Sequence, residues 1–334
     1  MRIFGHVLRK GFYCTIVGTL QIPLILFAQL TVSTGIPPAT LVQNVLLGSG
    51  VTVSNITFVG HPNQIGYFNG SASNIGISEG IILSSGNVLD APGPNTSVST
   101  STDYGRPGDP DLTFYSGQTT HDAAVLEFDF VPTGDTLRFR YVFASEEYCE
   151  FACDVFNDVF AFLISGPGIV GTKNLALIPS TAIPVTINNV NGGDCSTTPP
   201  TICTPFSMYY IDNSSGVTVE YDGFTVVLTA FQIVQPCSTY HIKIAIADAF
   251  DHAYDSAVFL EGGSFGSNGV SIVAQTPVVD TLGNKILPEG CATAQFHFQL
   301  AAPAQQDMVF YIATSGTAVN GIDYQYIPDS VVIP

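Results

Sequence analysis

The sequence contains no tryptophan, three methionines and only nine lysines and arginines in 334 residues. The shortage of basic residues excludes most: a nucleic-acid surface would have no electrostatic footing. Long solvent-facing helices would also lack the side chains that cover their polar faces. Without tryptophan, an aromatic platform for sugars would have to rely on Tyr or Phe. Beyond the first thirty residues no apolar run is long enough to span a bilayer. What remains is rich in Gly, Ser, Thr, Val, Ile, Phe and Tyr, a composition of strands and turns. At 46% hydrophobic and 11% charged residues, the chain is not of the disordered class.

Arg2, Arg9 and Lys10 precede the apolar run GFYCTIVGTLQIPLILFA, after which the chain turns polar. This reads as a secretory signal peptide over residues 1–28 with cleavage near Ala28. The competing reading, a retained anchor, is weakened by Gln21 and Pro23 inside a run near the shortest spanning length. Without it six basic residues face 27 acidic ones, a net charge of −21. Such a chain either keeps itself soluble by repulsion or recruits cations, and divalent ones relieve the most repulsion.

Six cysteines then remain, an even number that in an exported chain reads as disulfides. Cys195 and Cys203 bracket the loop CSTTPPTIC, and Cys149 and Cys153 are four apart, so each pair is expected to close a local loop. Cys237 and Cys291 are left over, expected either to join two domains or, for Cys291, to pair beyond residue 334. The spacings are not those of a zinc site.

Strand signals recur at short spacing: AAVLEFDFVP, DTLRFRYVFA, DVFAFLISG, TVEYDGFTVVLTAFQIV, YHIKIAIADAF and SAVFLEGGSF. LEFDF and LRFRYVF alternate with period two, whereas VFAFLI is apolar throughout, as a strand buried on both faces would be. With no long amphipathic helix between them, these predict a two-sheet antiparallel β-sandwich, jelly-roll-like, over residues 38–267. Val88 to Tyr115 reads as a long surface loop, and GSFGSNG as a linker to a second unit over 270–334. The pattern stops at SVVIP in mid-strand, so further strands are expected beyond it. Sequons at Asn55, Asn69, Asn95 and Asn213 would mark exposed loops in a eukaryotic exported protein.

GISEG matches the G-x-S-x-G nucleophile elbow, but a strand signal follows it instead of a helix, which favours a turn at Ser78 over a nucleophile. His61, His121, His241, His252 and His297 lack metal-ligand spacing. Glu146 and Glu147 are candidates for a glycosidase pair, yet adjacent residues of a strand point to opposite faces. The acidic clusters fit calcium better. Asp109 and Asp111 lie in GRPGDPDL, Glu146, Glu147 and Asp158 in FASEEYCEFACDVFNDVF, and Asp248, Asp251 and Asp255 in IADAFDHAYDS. Calcium takes six to eight oxygens, which loops at one end of a sandwich can supply from distant segments. The bland alternative is that Asp and Asn simply favour turns. In SEEYCEFACD the carboxylates are expected to face solvent or a cation at the entrance of a buried strand.

FVGHPNQIGYFNG, GISEGIILSSGNV, GDPDL, AAVLEFDFVPTGDTLRFRYVFASEEYCEF, FNDVFAFLISGPG, VTINNVN, YDGFTVVLTA and IAIADAFDHAYDSAVFLEGGSF, in that order, resemble the choice-of-anchor L domain over about residues 38–267. The resemblance implies export and surface display on a bacterium, with no known enzymatic activity and no catalytic residues. LPEGC and SGTAVNGIDYQYIP are similar to the start of a Calx-beta repeat, which implies an incomplete immunoglobulin-like sandwich and, through Glu289 and Asp323, further calcium contacts. The sequence thus predicts a non-enzymatic surface protein with an adhesive or structural display role and calcium as its cofactor. Its partner would be an extracellular ligand such as a polysaccharide or a host or cell surface, and its membrane association would come only through a C-terminal anchor beyond residue 334. The alternatives are a secreted carboxylate-dependent hydrolase acting on polysaccharide and a mechanical spacer without metal.

Overall fold

The computed structural model describes residues 29–267 apart from 197–200 and 202. Further on it describes 270–275, 278–279, 285–286, 293–300, 308–312, 314 and 316–333. Fourteen strands form the main unit. In chain order they are β1 Thr31–Ser33, β2 Val51–Val59, β3 Ile65–Asn69, β4 Glu79–Ser84, β5 Thr120–Pro132, β6 Thr136–Ser145 and β7 Val159–Ser165. They continue with β8 Lys173–Asn174, β9 Tyr210–Asp212, β10 Gly223–Thr225, β11 Leu228–Ile233, β12 Tyr240–Ala249, β13 Ser256–Glu261 and β14 Gly266–Ser267. Two short helices, α1 Pro38–Leu41 and α2 Pro110–Ser116, accompany them.

The strands make two antiparallel sheets packed as a sandwich. One runs β2-β5-β12-β7-β8, and the other β1-β3-β4-β13-β6-β10-β9, with β11 and β14 also pairing with β6. The expected all-β sandwich is what the structure shows. It begins earlier than the expected residue 38, because β1 pairs with β3 through Thr31↔Asn69 to Ser33↔Tyr67. The single strand expected in TVEYDGFTVVLTAFQIV is two, β10 and β11, which meet successive stretches of β6. Past residue 267 the described strands form two-stranded pairs, Val270–Gln275 with Gln295–Leu300 and Met308–Tyr311 with Ser330–Ile333 among them. These do not confirm a second immunoglobulin-like domain.

Alternation along the strands sorts the apolar side chains into three layers. Leu137, Phe139, Tyr141 and Phe143 of β6 face inward with Phe160, Phe162 and Ile164 of β7 and Ile242, Ile244 and Ile246 of β12. The rings interlock: Phe139 and Tyr141 meet Phe162 edge-on at centroid distances of 5.0 and 4.8 Å, and Phe143 stacks on Phe160 at 4.6 Å. The opposite face of β7, Val159, Ala161 and Leu163, packs with Ala245 and Ala247 under Leu112 of α2. This explains why VFAFLI has no polar position: one face fills the sandwich and the other is roofed by a helix. Asp109 caps that helix, accepting from the amides of Asp111 and Leu112, and Gly117 ends it at φ 70°.

The cysteines correct the sequence reading. Cys149 joins Cys195 and Cys153 joins Cys203, so both bridges cross between two loops. SEEYCEFACD is thereby tied to CSTTPPTIC, 46 and 50 residues away along the chain. Sequence spacing favoured local closure, but the fold brings these two loops side by side. Cys237 is free and exposed, and Cys291 lies outside the described residues.

Candidate metal centre

At the end of β6 the chain passes from Ser145 into Glu146 and Glu147, and both glutamates are only 1% exposed. Of the two expected settings, solvent or a cation, burial removes solvent for Glu146 and Glu147. Tyr148 after them is fully buried and donates from its hydroxyl to Val190 O at 2.7 Å. This anchor and the two disulfides draw the segment into the sandwich end instead of letting it fold outward. The two glutamates still diverge, as neighbours on an extended chain must. Glu146 feels chiefly the charges of Asp222 and Glu220, whereas Glu147 feels those of Asp158 and Asp251 and accepts from the Asp158 amide. They do not form a facing pair across an open cleft.

Asp158, Asp248 and Asp255 complete the group, all 3% exposed or less. β7 begins just after Asp158, whose Oδ1 accepts from the Ala249 amide at 2.9 Å and Oδ2 from Ser256 Oγ at 2.7 Å. Glu147 Oε2 accepts from the Asp158 amide at 3.1 Å. Asp255 lies against Gly86, where a Cβ would stand 1.6 Å from Oδ2, so only glycine permits that approach. Asp122 enters through a bulge: between Ile246 and Asp248 two steps on β12 oppose three on β5, and Asp122 takes φ 47°.

The segment expected to be a surface loop closes over these acids and supplies their donors. The Thr96 amide and Thr100 Oγ1 donate to Glu220 at 3.2 and 2.8 Å, and Asn95 Nδ2 donates to Asp222 Oδ1 at 2.7 Å. The Thr102 amide donates to Asp255 Oδ2 at 2.8 Å, and the Arg106 amide to Asp122 Oδ1 at 2.6 Å. Asn213, expected on an exposed loop, is buried, with Nδ2 donating to the carbonyls of Val219 and Tyr221.

The donors do not suffice. Both oxygens of Glu146, both of Asp248 and Oδ2 of Asp222 are buried and make no hydrogen bond of good geometry among the described residues, the Thr100 amide and Ser85 being the donors nearest Glu146 and Asp248. Such groups normally find partners, and a buried carboxylate without one bears its full desolvation cost. Burial, then the repulsion of Asp222 and Glu220, pushes the Glu146 carboxyl up to about 10. Burial, then Asp158, does the same for Glu147. Burial raises Asp158 and Asp248 well above the carboxylate range and holds Asp222 and Asp255 at about 7. Among the described residues no Lys, Arg or His forms an ion pair with Glu146, Glu147, Asp158, Glu220, Asp222, Asp248 or Asp255.

Of the sequence candidates, the structure buries Glu146, Glu147, Asp158, Asp248 and Asp255 at this end, with Asp251 beside them, and engages Asp109, Asp111 and Asp323 elsewhere. Asp109 and Asp111 are engaged by Lys243, whose Nζ lies 2.7 and 2.6 Å from their oxygens. Asp323 accepts from the Val319 amide in an exposed turn, and Glu289 lies outside the described residues. Sequence reasoning left Asp122, Glu220 and Asp222 out of the candidate metal ligands. Glu220 and Asp222 carried a signal, since two residues apart in extended chain they share a face. Asp248, within the expected IADAFDHAYDS cluster, is a charge inside the apolar run IAIADA. A smaller cluster stands beside the group, with His252 Nδ1 3.1 Å from Asp122 Oδ2 and 3.3 Å from Asp103 Oδ1. Cys149, Glu150 and Cys195 also converge, but the two sulfurs are spent on each other.

Compared with known families, residues 31–266 match the model of the choice-of-anchor L domain. The match stops short of the segment similar to a Calx-beta repeat, and that resemblance is not supported. Neither the curated proteins nor the solved structures yielded a match. Among the described residues no helix is long and apolar enough to cross a membrane.

Proposed function

The chain belongs to the choice-of-anchor L domain family of bacterial surface-associated proteins, and from that premise we propose that it is a structural display or adhesive module stabilised by calcium. One observation carries the calcium reading: carboxylates from distant segments are buried at one end, five of their oxygens make no hydrogen bond of good geometry, and among the described residues no Lys, Arg or His forms an ion pair with Glu146, Glu147, Asp158, Glu220, Asp222, Asp248 or Asp255. A divalent cation bound by oxygen meets both deficits at once. Apart from His252 at Asp122, the group offers carboxylate oxygens, which favours a hard cation over a transition metal. Outside a cell such a site would serve as a structural lock, holding loops at one end of the sandwich in a fixed shape for a polysaccharide or cell-surface ligand. The signal peptide expected over residues 1–28 lies outside the described residues, and export rests on the family.

Thermal unfolding of the full chain in millimolar calcium and in chelator tests this reading. A cation at a hundred times its Kd adds about 2.7 kcal/mol. For a unit of this size that raises the midpoint by about 5–10 °C. Equal midpoints in calcium and in chelator would remove the calcium reading and leave a display module without metal.

A further inference from the structure

The smaller cluster beside the buried acids differs from them in two ways: it reaches the surface, and it contains an imidazole. Its members come from three segments that meet at this end of the sandwich. Asp103 belongs to the closing segment, Asp122 to β5, and His252 to the turn between β12 and β13. His252 Nδ1 stands 3.1 Å from Asp122 Oδ2 and 3.3 Å from Asp103 Oδ1, and the three ligand atoms lie within 4.8 Å of one another. Asp122 is fully buried, whereas the side chains of His252 and Asp103 are 36% and 59% exposed. One group is thus fixed inside and two stand at the mouth, open to an ion from solvent.

Each side chain is held in place by its surroundings. Asp122 sits at φ 47° in the bulge, and the amides of Arg106 and Tyr104 donate to its Oδ1 and Oδ2 at 2.6 and 3.3 Å. The Gly105 amide donates to Asp103 Oδ1 at 2.6 Å. His121 lies over the His252 ring at a centroid distance of 3.9 Å, and Tyr104, next to Asp103, stacks on His61 at the same distance. An ion pair leaves this arrangement incomplete. His252 Nδ1 carries at most one proton, which can point straight at one carboxylate and not at two. Even a charged imidazole balances only one of the two aspartates, and among the described residues neither aspartate pairs with a Lys or Arg.

We propose that Asp103, Asp122 and His252 bind a divalent transition metal of the zinc class, at a site separate from the calcium proposed for the buried carboxylates. Zinc takes imidazole nitrogen and carboxylate oxygen at about 2.0–2.2 Å, so around a tetrahedral ion such donors stand about 3.3–3.5 Å apart. The 3.1 and 3.3 Å spacings from His252 Nδ1 are close to that edge. The imidazole favours a transition metal over calcium, which takes oxygen. Three protein ligands leave a fourth position to water or to a group from outside. The backbone amides on Asp103 and Asp122 orient these ligands from behind, as outer-shell partners do. The ion ties the closing segment at Asp103 to the sheet at Asp122 and to the turn at His252. Asp122 and His252 are 130 residues apart in the chain, so no sequence spacing marks the site.

The test titrates the untagged full chain with zinc by calorimetry, calcium being present throughout, and then with cobalt, whose visible absorption reports its coordination. Wild type is expected to bind a single zinc ion, and cobalt to give the intense visible bands of a four-coordinate site. His252→Gln and Asp103→Asn, both at positions open to solvent, are expected to fold as wild type does and to weaken zinc binding by about tenfold or more, with the cobalt bands lost. His241→Gln is the control, because His241 also lies against carboxylates, with Nδ1 2.8 Å from Asp129 Oδ1 and Nε2 3.5 Å from Glu127 Oε1. It is expected to bind zinc as wild type does. Wild type that takes up no zinc, or zinc affinity that follows His241 and is indifferent to His252, would overturn the site and leave an ion pair there. The calcium-dependent rise in midpoint is expected to persist in His252→Gln, so the two metal sites stand or fall separately.

Discussion

Two acidic pairs, Asp109 with Asp111 and Glu146 with Glu147, look alike in the sequence and end in opposite surroundings. The first lies at the start of α2, where Lys243 reaches across from β12 to both carboxylates and the helix amides take up Asp109. The second is buried at the sandwich end, where among the described residues no basic side chain pairs with it and neither Glu146 oxygen makes a hydrogen bond of good geometry. Each pair needs positive charge. At the first the fold supplies it, and at the second it must come from protons or from outside.

The clamp that holds the second pair in place has no counterpart at the first, so breaking it has the largest expected effect on the comparison. Replacing Cys149 and Cys195 by Ser leaves the two loops joined at Cys153–Cys203, so the ring it opens runs through that bridge and spans about 12 residues. In the chain-entropy description this costs about 3 kcal/mol, to be read as a lower denaturant midpoint. The response to calcium should weaken with it, because the loop that buries Glu146 and Glu147 is freed. A variant with an unchanged midpoint would show that Cys153–Cys203 and Tyr148 hold the segment without this bridge.

A pH series in chelator comes next. Glu146 and Glu147 titrate near 10 in the folded chain and near the ordinary glutamate value when unfolded. Between those limits the native state holds protons that the unfolded state has released, so stability falls as pH rises from about 4 to about 10. Asp222 and Asp255 add to the slope up to about pH 7. The melting midpoint in chelator should therefore be lower at pH 8 than at pH 5, and calcium should narrow the gap. A midpoint independent of pH would show that these acids are not buried as described.

The smallest effect is expected at the satisfied pair. Lys243→Met leaves Asp109 and Asp111 without their cation, at a cost of about 1–2 kcal/mol, between the exposed and the fully buried limits for such pairs. It should leave the calcium response intact, since Asp109 and Asp111 contribute nothing to the buried group. A loss of the calcium response in that variant would mean the two acidic regions are coupled, and the contrast between them would fail.

Strand periodicity made the sandwich legible before any coordinates, because period-two alternation and the unbroken run VFAFLI follow directly from which faces are covered. The site was half legible. Glu146, Glu147, Asp158, Asp251 and Asp255 stood out as charges among aromatics. Glu220 and Asp222 were passed over inside a segment read as one strand, which the fold breaks into two. The loop from Val88 to Tyr115 was misread because its polar side chains say nothing about where its backbone amides point, and those amides are what the acids use.

The sequence by itself determined the strands, the acidity and the family, since each depends on residue type and local order. Only the tertiary structure decided which cysteines join and which carboxylates meet without a partner. Both depend on segments far apart in the chain: Cys149 and Cys195 are 46 residues apart, and Asp222 lies on a different strand connection from Glu146. Closing such distances is settled by how the two sheets pack, and no local pattern encodes it.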